Sequence, residues 1–127
     1  MMTWELTWGG DVEDLLVTTH GVATIDGLDG YATEGMGDPR FRPDLRLLVD
    51  HRDLDFTNMT TDDFRRRAES VAERAKVAPD LKIAVVVSRT VDYGLLRMQA
   101  TLIADRTGDQ YQIFYTLEEA RDWLKAS

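Results

Sequence analysis

The chain has no cysteine. That removes disulfides, thiolate metal sites and cysteine nucleophiles together, and it fits a reducing compartment. Basic residues are scarce beside acidic ones, 15 Lys+Arg against 23 Asp+Glu, for a formal charge of -8. Such a surface repels phosphate backbones and anionic membranes, so nucleic acid is not an expected partner. No stretch approaches the roughly 20 apolar residues that span a bilayer, and Met1 to Trp8 lacks the basic-then-apolar pattern of an export signal. No integral membrane association is expected, and the expected location is cytoplasmic. Catalytic signatures are missing as well. There is no Gly-x-Ser-x-Gly elbow, and Ser70, Ser88 and Ser127 have no recognisable context. Gly35-Met36-Gly37 lacks the third glycine of a dinucleotide fingerprint, and no Walker-type Gly-Lys-Thr or Gly-Lys-Ser occurs. The expectation is a protein that is not an enzyme and that needs no cofactor.

What is present is the material of an ordinary globule. At 127 residues, 43% hydrophobic and 30% charged, the chain has the size of one domain, residues 1–127, and enough apolar side chains for a core. Trp4, Leu6 and Trp8 alternate with Thr3, Glu5 and Thr7, the period of a half-buried strand. Gly9 and Gly10 break it, and Leu15 to His20 reads as a second strand closing an antiparallel hairpin. Thr24 to Met36 carries Ile25, Leu28, Ala32 and Met36 at helical spacing. It also holds Gly27, Gly30 and Gly35, each worth about 1 kcal/mol against a helix, so this helix is expected to be short or frayed. The two prolines of Asp38-Pro39-Arg40-Phe41-Arg42-Pro43 make a connecting loop.

Leu45 to Asp50 has the composition of a strand covered on both faces. From Thr60 to Lys76, Thr60 can cap a helix with Asp63 at the capping-box position, and Met59 can staple against Phe64. The inner face is Phe64, Ala68, Val71, Ala72 and Ala75, and the outer face carries Arg65, Arg66, Glu69, Glu73 and Arg74. Leu81 to Val87 is a β-branched, buried strand. Thr90 to Arg106 shows Val91, Leu95, Met98 and Leu102 at helical spacing, with Gly108 as a stop. Tyr111 to Tyr115 is the last strand, and Thr116 with Glu119 opens a terminal helix whose face is Leu117, Ala120, Trp123 and Leu124. The order ββαβαβαβα predicts an α/β fold: a mixed, mainly parallel five-stranded sheet with an N-terminal hairpin and about four helices.

Three stretches carry a family resemblance: Asp38-Pro39-Arg40-Phe41-Arg42-Pro43 before Leu47-Leu48-Val49-Asp50, Tyr93-Gly94-Leu95-Leu96-Arg97-Met98, and Leu117-Glu118-Glu119-Ala120 before Trp123-Leu124. In this order and spacing, over nearly the whole chain, they resemble the bacterial SpoIIAA-like proteins, also called STAS/SEC14 domain-containing proteins. The resemblance implies a STAS-like fold, related to anti-sigma-factor antagonists and to lipid-carrying CRAL-TRIO domains. It implies little chemistry. Anti-sigma-factor antagonists carry a phosphorylated serine at the start of the helix after the central strand. Here that region reads Asp55-Phe56-Thr57-Asn58-Met59-Thr60-Thr61, with no serine, so Thr57, Thr60 or Thr61 would have to serve, and Thr60 already has an explanation as a helix cap.

In open α/β sheets ligands sit beyond the carboxyl ends of parallel strands. That rule points to Asp50-His51-Arg52-Asp53, read as a loop, and to Ser88-Arg89-Thr90 with Tyr93 opening the next helix. Arg52, Arg89 and Arg97, with Tyr93, are the candidate ligand-binding residues, since guanidinium groups near helix N-termini can receive an anionic head group. Pairing with neighbouring carboxylates is the commoner fate of arginine. Asp50, His51, Asp53 and Asp55 offer metal-ligand chemistry, but alternate residues on an extended segment point apart and the spacing matches no calcium loop, so no metal is expected. Two functions follow. The first is a non-enzymatic regulatory or protein-interaction module that binds a partner or itself as a homodimer. The alternative is a carrier of a small apolar or amphipathic, lipid-like ligand, with the glycine-rich helix as a lid.

Overall fold

In the computed structural model, which describes residues 1–88, 97–98, 101–102 and 110–126, strands β1 (Thr3–Trp8) and β2 (Leu15–Val22) pair antiparallel from Thr3↔His20 to Trp8↔Leu15. Gly9 opens the turn between them at a φ of 82°, a left-handed conformation that suits glycine, and its N–H donates to the Asp14 carbonyl at 2.9 Å. Helix α1 (Ile25–Gly37) follows, capped by Thr24, whose Oγ1 accepts the Gly27 N–H at 3.0 Å.

Here the structure corrects two expectations. Helix α1 runs 13 residues rather than being short or frayed, and of its expected inner face only Leu28 is fully buried. Its buried residues are Gly27, Leu28, Tyr31 and Gly35. The cause is close approach: a Cβ at Gly30 would stand 2.7 Å from Cη2 of Trp4, one at Gly35 would meet Leu15 Cδ2 at 3.3 Å, and one at Gly27 would collide with Met2. The glycines seat the helix on the hairpin, and packing outweighs their poor helix propensity.

Strand β3 spans Arg46–Asp55, ten residues, so Asp50-His51-Arg52-Asp53 is strand and not loop. Its first half is paired on both sides, with β2 and with β4 (Lys82–Val86). Its second half continues because β2 does: after a register shift, His20, Gly21 and Val22 oppose Asp53, Leu54 and Asp55. Helix α2 (Thr61–Val77) starts on a complete capping box, Thr60 Oγ1 accepting from Asp63 N at 3.1 Å and Asp63 Oδ2 accepting from Thr60 N at 3.0 Å. All five residues expected on its inner face are buried, and Arg67 is buried with them.

Strand β5 (Tyr111–Phe114) pairs parallel to β4 and leads into helix α3 (Leu117–Lys125). Thr116 caps α3, its Oγ1 accepting the Glu119 N–H at 3.1 Å. The strands lie in chain order, β1-β2-β3-β4-β5, in one mixed sheet with one antiparallel and three parallel pairings. Three helices are described in full. The fourth expected one, Thr90 to Arg106, lies largely outside the described residues, of which 97–98 and 101–102 are helical.

Alternation along the strands divides the core. Val17, Val49 and Val85 face α1 and α2 in the larger cluster, which also holds Leu28, Tyr31, Phe56 and Phe64. Leu48, Ala84 and Val86 face the other way, where Ala120 and Leu124 of α3 close over them. No helix among the described residues is long and apolar enough to cross a membrane.

Candidate functional site: a cavity between the sheet and helices α1 and α2

Between the sheet and the paired helices lies a cavity of about 50 Å³. Val17, Val49, Leu81 and Val85 are among the apolar side chains below it, Tyr31 and Gly35 of α1 form one wall, Val71 of α2 another, and Tyr111 of β5 closes it. Into this apolar lining the helix α2 introduces two arginines, Arg67 and Arg74. Arg67 is only 7% exposed. Its Nη2 donates to the Tyr31 hydroxyl at 2.8 Å, and its guanidinium carbon stands 5.5 Å from the Tyr31 ring centroid. Asp29 of α1 supplies one carboxylate to both arginines: Arg74 Nη2 donates to Asp29 Oδ1 at 3.1 Å, and Arg67 Nη1 lies 3.5 Å from the same oxygen without hydrogen-bond geometry. Nη1 of Arg67 and Nη1 of Arg74 are both buried with no hydrogen-bond partner among the described residues. A buried charged donor left unmade is expensive, and native interiors rarely keep one. Arg74 and Asp29 also border an outer hollow lined by Arg66, Glu69 and Glu73, which leaves Arg67 the most buried charge of the cavity wall.

The neighbouring titratable groups register that charge. Burial, and then the Arg67 charge, push the His51 imidazole down to about 3, so it is neutral. His51 lies under α1 and α2, edge-on to Tyr31 and Phe56, with Nδ1 2.7 Å from Thr19 Oγ1. Burial pushes the Tyr111 hydroxyl up, with Arg67 working against the shift.

The residues singled out from the sequence lie elsewhere. Arg52 is on the opposite face of the sheet, hydrogen-bonded through Nε and Nη2 to Asp50 at 2.9 and 2.8 Å. Burial opposes the charge on Asp50, yet these bonds prevail and hold its carboxyl below the ordinary range. Arg121 of α3 feels both, and grips Glu13 with two hydrogen bonds of 3.1 and 3.0 Å. Arg97 is helical and exposed, its carbonyl accepting from Thr101 Oγ1 at 3.0 Å. Arg89 and Tyr93 lie outside the described residues. The alternation of β3 separates His51 from Asp50, as the strand period requires. His20 stands 3.7 Å from both Asp53 and Glu5, a proximity that sequence distance conceals. Among the described residues no group of three His, Asp or Glu side chains is arranged to hold a metal. Thr57, Thr60 and Thr61 line the approach to α2: Thr57 N–H donates to Asp55 Oδ1 at 2.9 Å, Thr60 caps, and Thr61 is exposed.

Sequence reading therefore missed Arg67 and placed Arg74 on a solvated face, where the structure makes it 23% exposed and part of the cavity wall. The available signal was spacing, because Arg67 falls between Phe64 and Val71 on the inner stripe of α2.

This sheet, with two helices on one face and α3 on the other, defines a small α/β domain with a SpoIIAA-like fold. A solved structure that it matches is that of an uncharacterised protein of the DUF3478 family, with a SpoIIAA-like fold, from Shewanella loihica PV-4. The TM-score is 0.56 at 14% identity, over 97% of this chain and 93% of that one. At such identity the likeness concerns the fold. No protein-family model and no curated protein matches the chain.

Proposed function

We propose that the domain is a non-enzymatic module that binds a small amphipathic molecule in the cavity beneath α1. The observation that carries this reading is Arg67, 7% exposed on the wall of a largely apolar cavity, whose Nη1 makes no hydrogen bond and only a 3.5 Å ion pair with Asp29. A charge held at that cost, where a hydrophobic side chain would pack without penalty, points to a ligand that completes it. The wall is suited to anchoring and not to reaction. Arginine stays protonated at any accessible pH, and Tyr111 is pushed away from neutrality, so neither exchanges a proton with a bound molecule. The Thr19–His51 pair, the nearest approach to a hydroxyl and base, is buried away from the cavity lining.

The volume narrows the carrier expectation. Space of about 50 Å³ holds a compact molecule and excludes a long acyl chain in this conformation. The packing of Gly30 on Trp4 further argues against α1 lifting as a lid. Amide chemical-shift mapping with a panel of short alcohols, amides and acids tests the reading. Saturable shifts at Val17, Tyr31 and Val49 are expected, and a panel that moves none of them refutes it.

A second reading, as a protein-interaction module or homodimer, draws on Met98 and Leu102, which are 40% and 39% exposed, helical, and four residues apart in sequence. Sedimentation of the native protein and of a Met98→Glu, Leu102→Glu variant tests it: a dimer that the substitutions dissociate supports the reading, and a monomer at all concentrations removes self-association.

A further inference from the structure

We infer that the outer edge of β1 is an interface with a second copy of this chain, which adds its own β1 antiparallel and joins the two sheets into one. This goes beyond the cavity and gives self-association a surface other than Met98 and Leu102. β1 comes first in the strand order, so among the described residues no strand pairs with its outer side. Exposed edges are ordinarily blunted by proline, lysine, a bulge or shortness. Thr3–Trp8 has none of these: it is six residues, Thr-Trp-Glu-Leu-Thr-Trp, in unbroken register with β2. β5, at the other edge, has only four.

The inner ladder decides which backbone groups are free. Gly9 N–H donates to the Asp14 carbonyl at 2.9 Å, and these two residues continue the register of Trp8↔Leu15. Hydrogen-bonded pairs in an antiparallel ladder recur at every second residue. Thr7, Glu5 and Thr3 therefore bond to β2, and Trp4, Leu6 and Trp8 turn their N–H and C=O outward. A two-fold pairing of β1 with itself must set these outward residues opposite one another, which leaves few registers. Centred on Glu5, it sets Glu5 against Glu5, a like-charge pair. Centred on Thr7, it leaves Trp4 unpaired. Centred on Leu6, it sets Trp4 opposite Trp8, Leu6 opposite Leu6 and Glu5 opposite Thr7, and every outward residue is bonded, with about six hydrogen bonds in all.

The side chains agree with the Leu6 centre. Trp4, Leu6 and Trp8, half-buried on the side of α1, form one apolar row across both copies, with an aromatic cross-strand pair at each end. Glu34 accepts the Trp4 Nε1–H at 3.2 Å, while Arg40 stacks on Trp8 at 4.7 Å and grips Asp38. Trp4 beside Trp8 of the second copy brings Glu34 toward that copy's Arg40, its opposite in charge. On the other face Glu5, 3.7 Å from His20, meets an uncharged threonine.

The test is sedimentation velocity of the full chain over a concentration series at about 0.15 M salt, where exposed charges more than about 8 Å apart are screened. The native protein is expected to dimerise. Residue 7 reads the register, because it is exposed and each copy's Thr7 faces Glu5 of the other. Thr7→Lys is expected to tighten the dimer about fivefold and Thr7→Glu to weaken it about fivefold, since two symmetric cross-strand pairs change together. Thr3→Lys and Thr3→Glu make the same change in net charge opposite Gly9, and are expected to shift association by less than about twofold. Hydrogen exchange of the native protein gives a second readout. The amides of Trp4, Leu6 and Trp8 should be protected in concentrated solution and exchange on dilution, while those of Glu5 and Thr7 stay protected in both. A monomer at every concentration overturns the interface. A dimer that responds equally to residues 3 and 7, or that Met98→Glu with Leu102→Glu dissociates, overturns β1 as its seat.

Discussion

Substituting Gly30 by alanine tests whether α1 is pressed onto the hairpin or rests loosely above it. In an open helix, Gly→Ala stabilises by about 1 kcal/mol, because alanine loses less backbone freedom. At Gly30 the added methyl would stand 2.7 Å from Trp4 Cη2 and 3.1 Å from Cζ2. That ring is tethered, its Nε1–H donating to Glu34 Oε1 at 3.2 Å, so it cannot swing aside freely. Overpacking against a held group costs about 1–3 kcal/mol, which cancels the propensity gain and leaves a net loss near 1 kcal/mol. Gly37, the last residue of the same helix, is the internal control, for a Cβ there meets nothing within 4 Å. Gly37→Ala is expected to gain about 0.5 kcal/mol, the full value being reduced at a helix end. The two variants should therefore differ by about 1.5 kcal/mol, or roughly 0.7 M in the urea midpoint at a slope near 2 kcal/mol/M. Equilibrium urea unfolding followed by tryptophan fluorescence measures it. A Gly30→Ala midpoint at or above that of Gly37→Ala refutes the tight seating and returns the glycines to the role of a loosened, lid-like segment.

The neutral burial of His51 makes stability pH-dependent. Its folded value, about 3, lies below the ordinary 6.5, so the unfolded chain binds a proton that the folded one refuses, and stability falls as pH drops from about 6.5 toward 3, by at most about 1.4 kcal/mol for each pH unit. His51→Phe should lower the slope of unfolding free energy between pH 6 and 4 by close to one proton, and an unchanged slope refutes the assignment. Arg121→Met strands Glu13, whose carboxylate is buried. Partial exposure of the arginine reduces the loss below the 3–5 kcal/mol of a wholly buried pair, to about 2 kcal/mol by thermal unfolding. Arg121→Met with Glu13→Gln should recover part of it. Thr60→Ala removes the cap of α2 and is expected to cost about 1 kcal/mol in the same assay, with Thr60→Asp retaining most of the stability.

What was legible in the sequence was local. The caps at Thr60 and Thr116 are written within four residues, and the alternation Trp4-Leu6-Trp8 states which side of β1 is half-buried. The second half of β3 was not legible, since His51 to Asp55 mixes charge with apolar residues and is held as strand by β2, a partner some thirty residues back. The expected face of helix α1, Ile25, Leu28, Ala32 and Met36, is only partly its most buried one, for a different reason. Glycine contributes nothing to a hydrophobic period, so the most closely packed stripe of the helix reads as blank. Arg67 is assigned to neither face of α2 by the sequence pattern, since a charge between Phe64 and Val71 interrupts an apolar stripe, and only the structure shows it buried with Tyr31 and Asp29 as partners. Arg52 is a candidate anion receptor whose commoner fate, pairing with a neighbouring carboxylate, is the one the structure shows, because the period of two that carries β3 sets Asp50 beside it.

The strand order of the sheet bears on how the chain assembles. Each strand hydrogen-bonds to the one made just before it, so no pairing waits on a distant segment, and the sheet can grow as residues leave the ribosome. The exception is the second face. Leu48, Ala84 and Val86 are in place once β3 and β4 have joined, yet their cover, Ala120 and Leu124, arrives with the last helix. During synthesis this stripe stays adhesive until the segment 117–125, which supplies Ala120 and Leu124, has emerged to seal it.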